Sequence, residues 1–448
     1  MTSVRIGAGA GYSGDRIQPA LDLIERGRLD YIVFECLAER TIALAQQAKS
    51  KDPNAGYDPL LEPRMRTVLR SCQANGTRLI SNMGAANPTA AAAKTCAIAS
   101  SLGLRGMKVA AIEGDDVLHL FQAGEYTSAE LSETGEAVSS IAGRLISANA
   151  YLGAKPIVEC LREGADVVLG GRVADPALFL GPLAHEFGWN SDEWERLGAG
   201  ILVGHLLECA GQLTGGYFAD PPFKLVPDLA NLGFPFADVQ PDGIAEFSKL
   251  QGTGGLVSLA TCKEQLLYEI HDPTRYLTPD VIADFSQVQL ENRGPDRVRA
   301  TGATGVHRPD TLKVSLGYSD GFIGEGQITY VGSGAAKRGQ LATEIVSAQI
   351  ESCGCQIREL RTEMIGLNSS GWTSKGNQEP AEVRVRIAAR TETSEEANMI
   401  GAIVEALYTN GPAAGGGVFR FVRPVIAIAS TLIPRDTVRP EIEMLVAQ

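Results

Sequence analysis

His205 and Glu208 stand three residues apart in the run Gly204-His205-Leu206-Leu207-Glu208-Cys209. On a helix that spacing puts an imidazole and a carboxylate on one face. Two chemistries use such a pair. An H-x-x-E pair is half of a divalent-metal site, which Asp115, Asp116 or Cys209 would have to complete. A general acid–base pair needs less, because imidazole titrates near neutrality and requires only one partner to orient it. Upstream, Arg172 and Asp175 close an apolar run. An arginine at a buried strand end must be paired. Either Asp175 is its structural partner, or the guanidinium fork grips a substrate carboxylate or phosphate.

Further carboxylates follow other apolar runs. Glu35 and Glu39 come after Tyr31-Ile32-Val33-Phe34, and Glu113-Gly114-Asp115-Asp116 follows Met107 to Ile112. Carboxylates gathered at one sheet edge can have their pKa values pushed apart, which suits proton transfer, with Asp115 or Glu39 as the second such group. Both are also ordinary residues for a helix start. Asn82 and Asn149 are read as substrate-binding side chains, although asparagines after a strand are also turn formers. The glycines at 9, 11 and 14 precede a helix capped by Asp15. Gly9, Gly11 and Gly14 could cradle an anionic cofactor group on free N–H groups, or simply make a tight turn. Gly215 and Gly216, after Thr214, are expected to add backbone donors to an oxyanion or phosphate.

These residues need a scaffold that delivers them to one place. Short β-branched runs at 4–6, 31–34, 78–81, 107–112 and 165–169 alternate with helical patterns. That rhythm predicts an α/β, doubly wound and mostly parallel sheet over a Rossmann-like domain, 1–216, with the polar residues at its carboxyl edge. Residues 121–148 give only helical cues. Proline- and glycine-marked segments introduce an α+β middle region, 217–320, expected as a lid or dimer surface. The last part, 321–448, reads as β-α-β-β-α-β, a ferredoxin-like unit. Its glycine-rich connection, 410–417, is expected to be a flexible loop.

Composition narrows the partners. A net charge of −13 with no basic run argues against nucleic acid and anionic membranes. No apolar run is long enough to span a bilayer, and the start, MTSVRIGAGAGYSGD, does not read as a signal peptide. A cytoplasmic homo-oligomer acting on a small molecule is expected. The eight cysteines are scattered, and only Cys353 and Cys355 are close. Most read as small buried residues.

Several stretches together resemble the acyclic terpene utilisation, AtuA-type, family. They are the glycine-rich start, Leu37-Ala38-Glu39, Asn82 to Pro88, Glu113 to Asp116, Asn149 to Ala154, Gly171 to Asp175, Gly204 to Cys209 and Thr214-Gly215-Gly216. The resemblance implies bacterial catabolism of citronellol- and geraniol-type acids as coenzyme A thioesters. It brings no set of catalytic residues. The residues lack a G-x-S-x-G elbow and a complete dinucleotide fingerprint. They favour a lyase or hydratase acting on an organic acid or acyl-CoA thioester. A non-catalytic acyl-binding subunit and a metal-dependent hydrolase are the alternatives.

Overall fold

Runs of Val, Ile and Ala too short and too apolar for helices form parallel strands buried on both faces. In the computed structural model, which describes residues 3–369 and 380–448, they are β1 (Val4–Ala10), β2 (Tyr31–Phe34), β3 (Arg78–Ser81), β4 (Lys108–Glu113) and β6 (Val167–Gly170). The helices between them are α1 (Gln18–Arg26), α2 (Glu39–Lys51), α3 (Leu61–Asn75), α4 (Pro88–Ser101) and the short α5 (Leu118–Gln122). The fifth strand, β5 (Leu145–Ala150), precedes α6 (Lys155–Arg162), and α7 (Ala177–Phe187) and α8 (Trp194–Leu207) follow β6. The helix expected over 121–148 is thus mostly turns running into β5, which pairs with β14 (Thr311–Val331) rather than joining the large sheet.

The parallel strands lie in the order β1-β2-β3-β6-β4. The chain moves steadily from β1 to β4, leaving one place empty, and then steps back to fill it with β6. A Rossmann sheet, by contrast, winds outward from a central β1. Right-handed crossovers put connections running in opposite directions on opposite faces. Accordingly α1, α3 and α4 pack together, and α6, α7 and α8 pack together. The divergence falls between β3, which leads into α4, and β6, which leads into α7. A crevice opens at such a point beyond the carboxyl ends of the strands.

Residues after 216 extend the same sheet. β7 (Pro235–Val239) pairs antiparallel with β1, and β8 (Ala245–Lys249) pairs with β7. After α9 (Leu259–Leu267), the strands β9 (Tyr276–Leu277) and β10 (Ile282–Asp284) form a small sheet with β13 (Thr304–Val306), while β11 (Gln289–Gly294) and β12 (Arg297–Thr301) continue the large one. At the opposite edge β18 (Glu441–Val446) pairs antiparallel with β4. The result is a ten-stranded mixed sheet.

The chain divides into two compact units, one of residues up to Gly317 together with Ile428–Gln448, the other Tyr318–Ala427. The second contains the later part of β14, then α10 (Ala335–Ser352), β15 (Ile357–Ile365), β16 (Glu382–Thr391), α11 (Ser394–Glu405), α12 (Leu407–Asn410) and the first part of β17 (Gly415–Pro434). Its sheet order is β15-β16-β14-β17. Ile328, Tyr330, Val346, Val385, Ile387 and Val404 form its core. The glycines from Gly415 onward lie in β17, so only 411–414 remain as a connection.

Candidate active site

Polar residues delivered by the strand ends line a cleft of about 600 Å³ in the larger unit. Glu35 arrives from β2, Asp175 from β6, Gly11 from β1, and Glu208 from the end of α8. Glu39, at the first turn of α2, Glu269, just past α9, and Asp15 add to the acidic lining. Leu229, Leu232 and Phe234 supply an apolar wall.

Glu35 is held from behind. Its Oε1 accepts from the Leu37 N–H at 2.9 Å and from Asn82 Nδ2 at 2.9 Å, while Asn82 Oδ1 accepts from the Cys36 N–H at 2.7 Å. Asn82 is fully buried and does not line the cleft. It positions Glu35 and does not reach a ligand there. Burial pushes the Glu35 carboxyl well above the usual range, and the negative charge of Asp175 adds to this against Arg172 and the two hydrogen bonds.

Arg172 is 1% exposed. Its guanidinium donates to the carbonyl oxygens of Leu37 and Val173 and to Asp175, and stacks over the Tyr151 ring with its carbon 4.6 Å from the centroid. The fork expected to grip a substrate carboxylate is therefore spent within the protein, and Arg172 is absent from the cleft lining. It fixes Asp175 in place. Asp175 remains half-buried at the cleft wall. Burial raises its carboxyl despite the pull of Arg172.

Asp115 is buried and lies behind the same loop. Its Oδ2 accepts from the Arg172 N–H at 3.0 Å and from Asn149 Nδ2 at 2.8 Å. A side chain on Gly171 would come within 2.5 Å of Asp115 Oδ1, so only glycine lets the loop after β6 approach this carboxyl. Burial pushes Asp115 up to about 6. Neither Asp115 nor Asn149 lines the cleft. Both clamp the loop carrying Arg172, rather than transferring protons or binding substrate there.

His205 is 1% exposed and enclosed by the rings of Tyr276 and Phe285. Its Nε2 lies 3.3 Å from the Leu266 carbonyl oxygen and its Nδ1 3.0 Å from Glu208 Oε1. A carbonyl only accepts, so Nε2 carries a proton. Burial lowers the imidazole to about 4, which favours a neutral ring with its lone pair on Nδ1, turned to Glu208. Burial, with Asp175 and Glu269 nearby, pushes Glu208 well up, in keeping with a protonated carboxyl. Of this pair expected to do acid–base work, it is Glu208 that lines the cleft, and its Oε2 has no hydrogen-bond partner among the described residues.

Glu39 differs from these. Burial would lift it, but the Tyr151 hydroxyl, its own N–H, Lys313 at 3.3 Å and Arg172 hold it at about 2. It is a fixed negative charge, unsuited to the second proton-transfer role.

The glycines play structural parts. Gly9 lies in β1, where a side chain would strike the Phe34 ring, and one on Gly11 would come within 2.6 Å of the Cys209 backbone. The Gly11 N–H donates to Asp15 Oδ2 at 3.0 Å, so the loop's own carboxylate sits where an anion was expected, and Gly14 packs beside Tyr12. The Gly215 and Gly216 N–H groups donate to the carbonyls of Gln212 and Gly211 at 3.1 and 2.8 Å, which leaves no oxyanion donors at these two positions. Burial raises the Cys209 thiol out of the thiolate range, with Glu208 adding to it. Among the described residues no three of His, Cys, Asp or Glu converge so as to hold a metal ion.

The sequence reading did not single out Glu269 or Arg64. Glu269 stands at φ 58°, a backbone conformation few side chains adopt. Arg64 is fully buried, donating to the carbonyls of Ser13 and Asp15 at 2.8 and 3.0 Å, and so braces the glycine loop from below. Neither lies in a local motif that could have marked it.

Residues 4–444 match the acyclic terpene utilisation family protein AtuA. The chain belongs to this family. Comparison with the curated proteins and with the solved structures returned no match. Among the described residues of this AtuA-family chain, no helix is long and apolar enough to cross a membrane.

Proposed function

We propose that this chain is a catabolic enzyme that adds water to a branched, unsaturated acyl thioester, or removes it, by carboxyl acid–base catalysis. One observation carries the reading. Three carboxyls with raised pKa values, Glu35, Asp175 and Glu208, face one cleft beside a fourth, Glu39, that is held ionised. Groups of one kind driven apart in this way can serve as acid and base at the same pH.

Asp175 is the base, since of the three it alone is bonded to a guanidinium, which favours its charged form. It takes a proton from water as the oxygen bonds to the β-carbon. Glu208 is the acid. Its proton leaves the hydrogen bond to His205 Nδ1 for the α-carbon, after which Glu208 takes a proton from solvent and Asp175 gives one up, so both carboxyls return to their starting state. The negative lining disfavours a free carboxylate substrate and tolerates a neutral thioester. The Leu229, Leu232 and Phe234 wall suits methyl-branched hydrocarbon, and the volume lies in the range of small-molecule sites. Membership in a terpene utilisation family supports a substrate of this shape.

The test is incubation with branched enoyl thioesters in ¹⁸O-labelled water, following loss of the conjugated chromophore and the label in the product. Labelled hydroxyacyl product from the wild type, but not from Asp175→Asn or Glu208→Gln, is expected. Equal turnover by these variants would sink the assignment, as would a wild type that never forms labelled product.

A further inference from the structure

Two hollows of about 200 and 300 Å³ lie against α6 and share Lys155, Glu159, Asp280 and Arg308 as lining. The first adds Arg435. The second adds Arg162 and an apolar wall that includes Leu180, Trp189 and Leu197. Four cations against two acids is an inversion of the local charge on a chain that carries −13 overall.

The cations outnumber the acids that line the hollows. Arg308 makes no hydrogen bond or ion pair among the described residues. Arg435 is fixed by donating Nε to the Pro309 carbonyl at 2.9 Å and Nη2 to the Pro279 carbonyl at 2.6 Å, neither of which cancels its charge. Asp280 is engaged elsewhere, because both its oxygens accept from the Ala154 N–H, at 2.9 and 3.1 Å, at the start of α6. Burial pushes Asp280 up to about 6 against the pull of Arg435 and Arg308, so near neutrality it offsets the charge of only one of the two. Burial and the adjacent Arg308 hold Arg435 below its ordinary range, against the charges of Asp280 and Asp310. Glu159 reaches Lys155 only at 3.8 Å. An oxyanion with several oxygens would satisfy Arg308 and Arg435 together, since planar guanidinium groups match phosphate geometry.

We propose that the two hollows form one site for a phosphorylated organic ligand of the nucleoside diphosphate kind. Its phosphates meet Arg308 and Arg435, and its base lies against the Leu180, Trp189 and Leu197 wall. The ligand is a free nucleotide or the nucleotide end of coenzyme A. The second source has a geometric argument. Tyr151, which bonds Glu39 at the acidic cleft, and Lys155, which lines the hollows, are four residues apart. Their Cα atoms are therefore at most about 14 Å from each other. One carrier could occupy the hollows and still reach the carboxyls. The site itself does not depend on hydration chemistry.

The experiment is calorimetric titration of the full chain with ADP, with coenzyme A and with inorganic phosphate, repeated on Arg308→Glu and Arg308→Lys. Among the described residues Arg308 makes no hydrogen bond and acts only through its charge on Asp280 and Arg435, so Arg308→Lys should keep the wild-type melting temperature, and the titrations are run well below the melting temperature of Arg308→Glu. ADP or coenzyme A should bind at one per chain, weaken on the order of tenfold or more in Arg308→Glu, and largely recover in Arg308→Lys. Binding of coenzyme A alone assigns the site to a thioester carrier, and equal binding of both assigns it to nucleoside diphosphates at large. The inference is overturned if neither ligand binds the wild type, if Arg308→Glu binds them unchanged, or if inorganic phosphate binds as tightly as either. Turnover of a short thioester without phosphates reports on the acidic cleft separately, so either idea can fail alone.

Discussion

Nδ1 of His205 faces Glu208 Oε1 across 3.0 Å, and in a neutral ring with its proton on Nε2 it accepts from the carboxyl, the reverse of the usual relation in which a carboxylate accepts from an imidazole. The Leu266 carbonyl accepts from the other ring nitrogen, and burial favours the neutral ring, which leaves Nδ1 as the acceptor. The histidine is a fixed acceptor, and the carboxyl is the group that meets the cleft.

Replacing His205 with Phe should keep the aromatic packing against Tyr276 and Phe285 but remove the acceptor. The neutral form of Glu208 loses its partner, so its pKa falls, and the high-pH limb of kcat/KM should move to lower pH. His205→Gln can restore an acceptor and should move the limb back. A profile that does not shift in His205→Phe would show that the pair does not tune the acid.

Asp175→Asn and Glu208→Gln should each lower kcat/KM on the order of 10²- to 10⁴-fold, the scale of lost general acid–base catalysis. Glu39→Gln should act differently. A carboxyl held at about 2 carries no proton near neutrality but helps to raise Asp175, so its loss should move the low-pH limb of the profile to lower pH without abolishing it. Disappearance of a limb in Glu39→Gln would make Glu39 a proton-transfer group after all.

Arg172→Ala should destabilise the protein by about 3 kcal/mol, read from urea unfolding. Removing one partner of a buried ion pair strands the other, and here it also strands the carbonyls of Leu37 and Val173. The half-exposure of Asp175 keeps the figure at the low end of the usual range. Loss of under about 1 kcal/mol would place Arg172 outside the structural role.

Asp115 predicts a pH dependence of stability. Its folded value of about 6 lies above the value near 4 of an unfolded aspartate, so the folded state holds the proton more tightly. That contribution is fully present below about pH 4 and is lost as pH rises through 6, by about 2–3 kcal/mol in all. Asp115→Asn imitates the protonated form and can still accept from Arg172 and Asn149. Its stability should therefore fall less than that of the wild type between pH 4 and 7. Parallel curves for the two proteins would contradict the assignment.

The strand ends were legible because a β-branched run closed by glycine and charge has few other readings. β2, β3, β4 and β6 lie where the sequence placed strands, and Glu35, Asp175 and Glu208 all meet in the cleft. The order of strands was not legible. β6 takes its slot with α6, α7 and α8 packed together after the chain has reversed direction, and no local pattern encodes that reversal. Nor was the employment of Arg172, since two of its partners are main-chain oxygens and one comes from the distant Leu37. The glycine loop misled for a related reason. Its spacing suits a phosphate, but the carboxylate four residues on from Gly11 takes the N–H that a phosphate would need.

Residues 428–448 return to the larger unit after the whole of 318–427 has intervened, and they bring β18 to the edge of the sheet beside β4. On the ribosome this order imposes a delay. Every helix around the cleft is made well before β18, yet the nascent sheet must wait with β4 unpaired along that edge while the second unit is synthesised. An open strand edge is a template for pairing with other chains. The period between the emergence of β4 and the arrival of β18 is therefore when this protein most needs a holding chaperone, and slowing translation across 318–427 should raise its loss to aggregation.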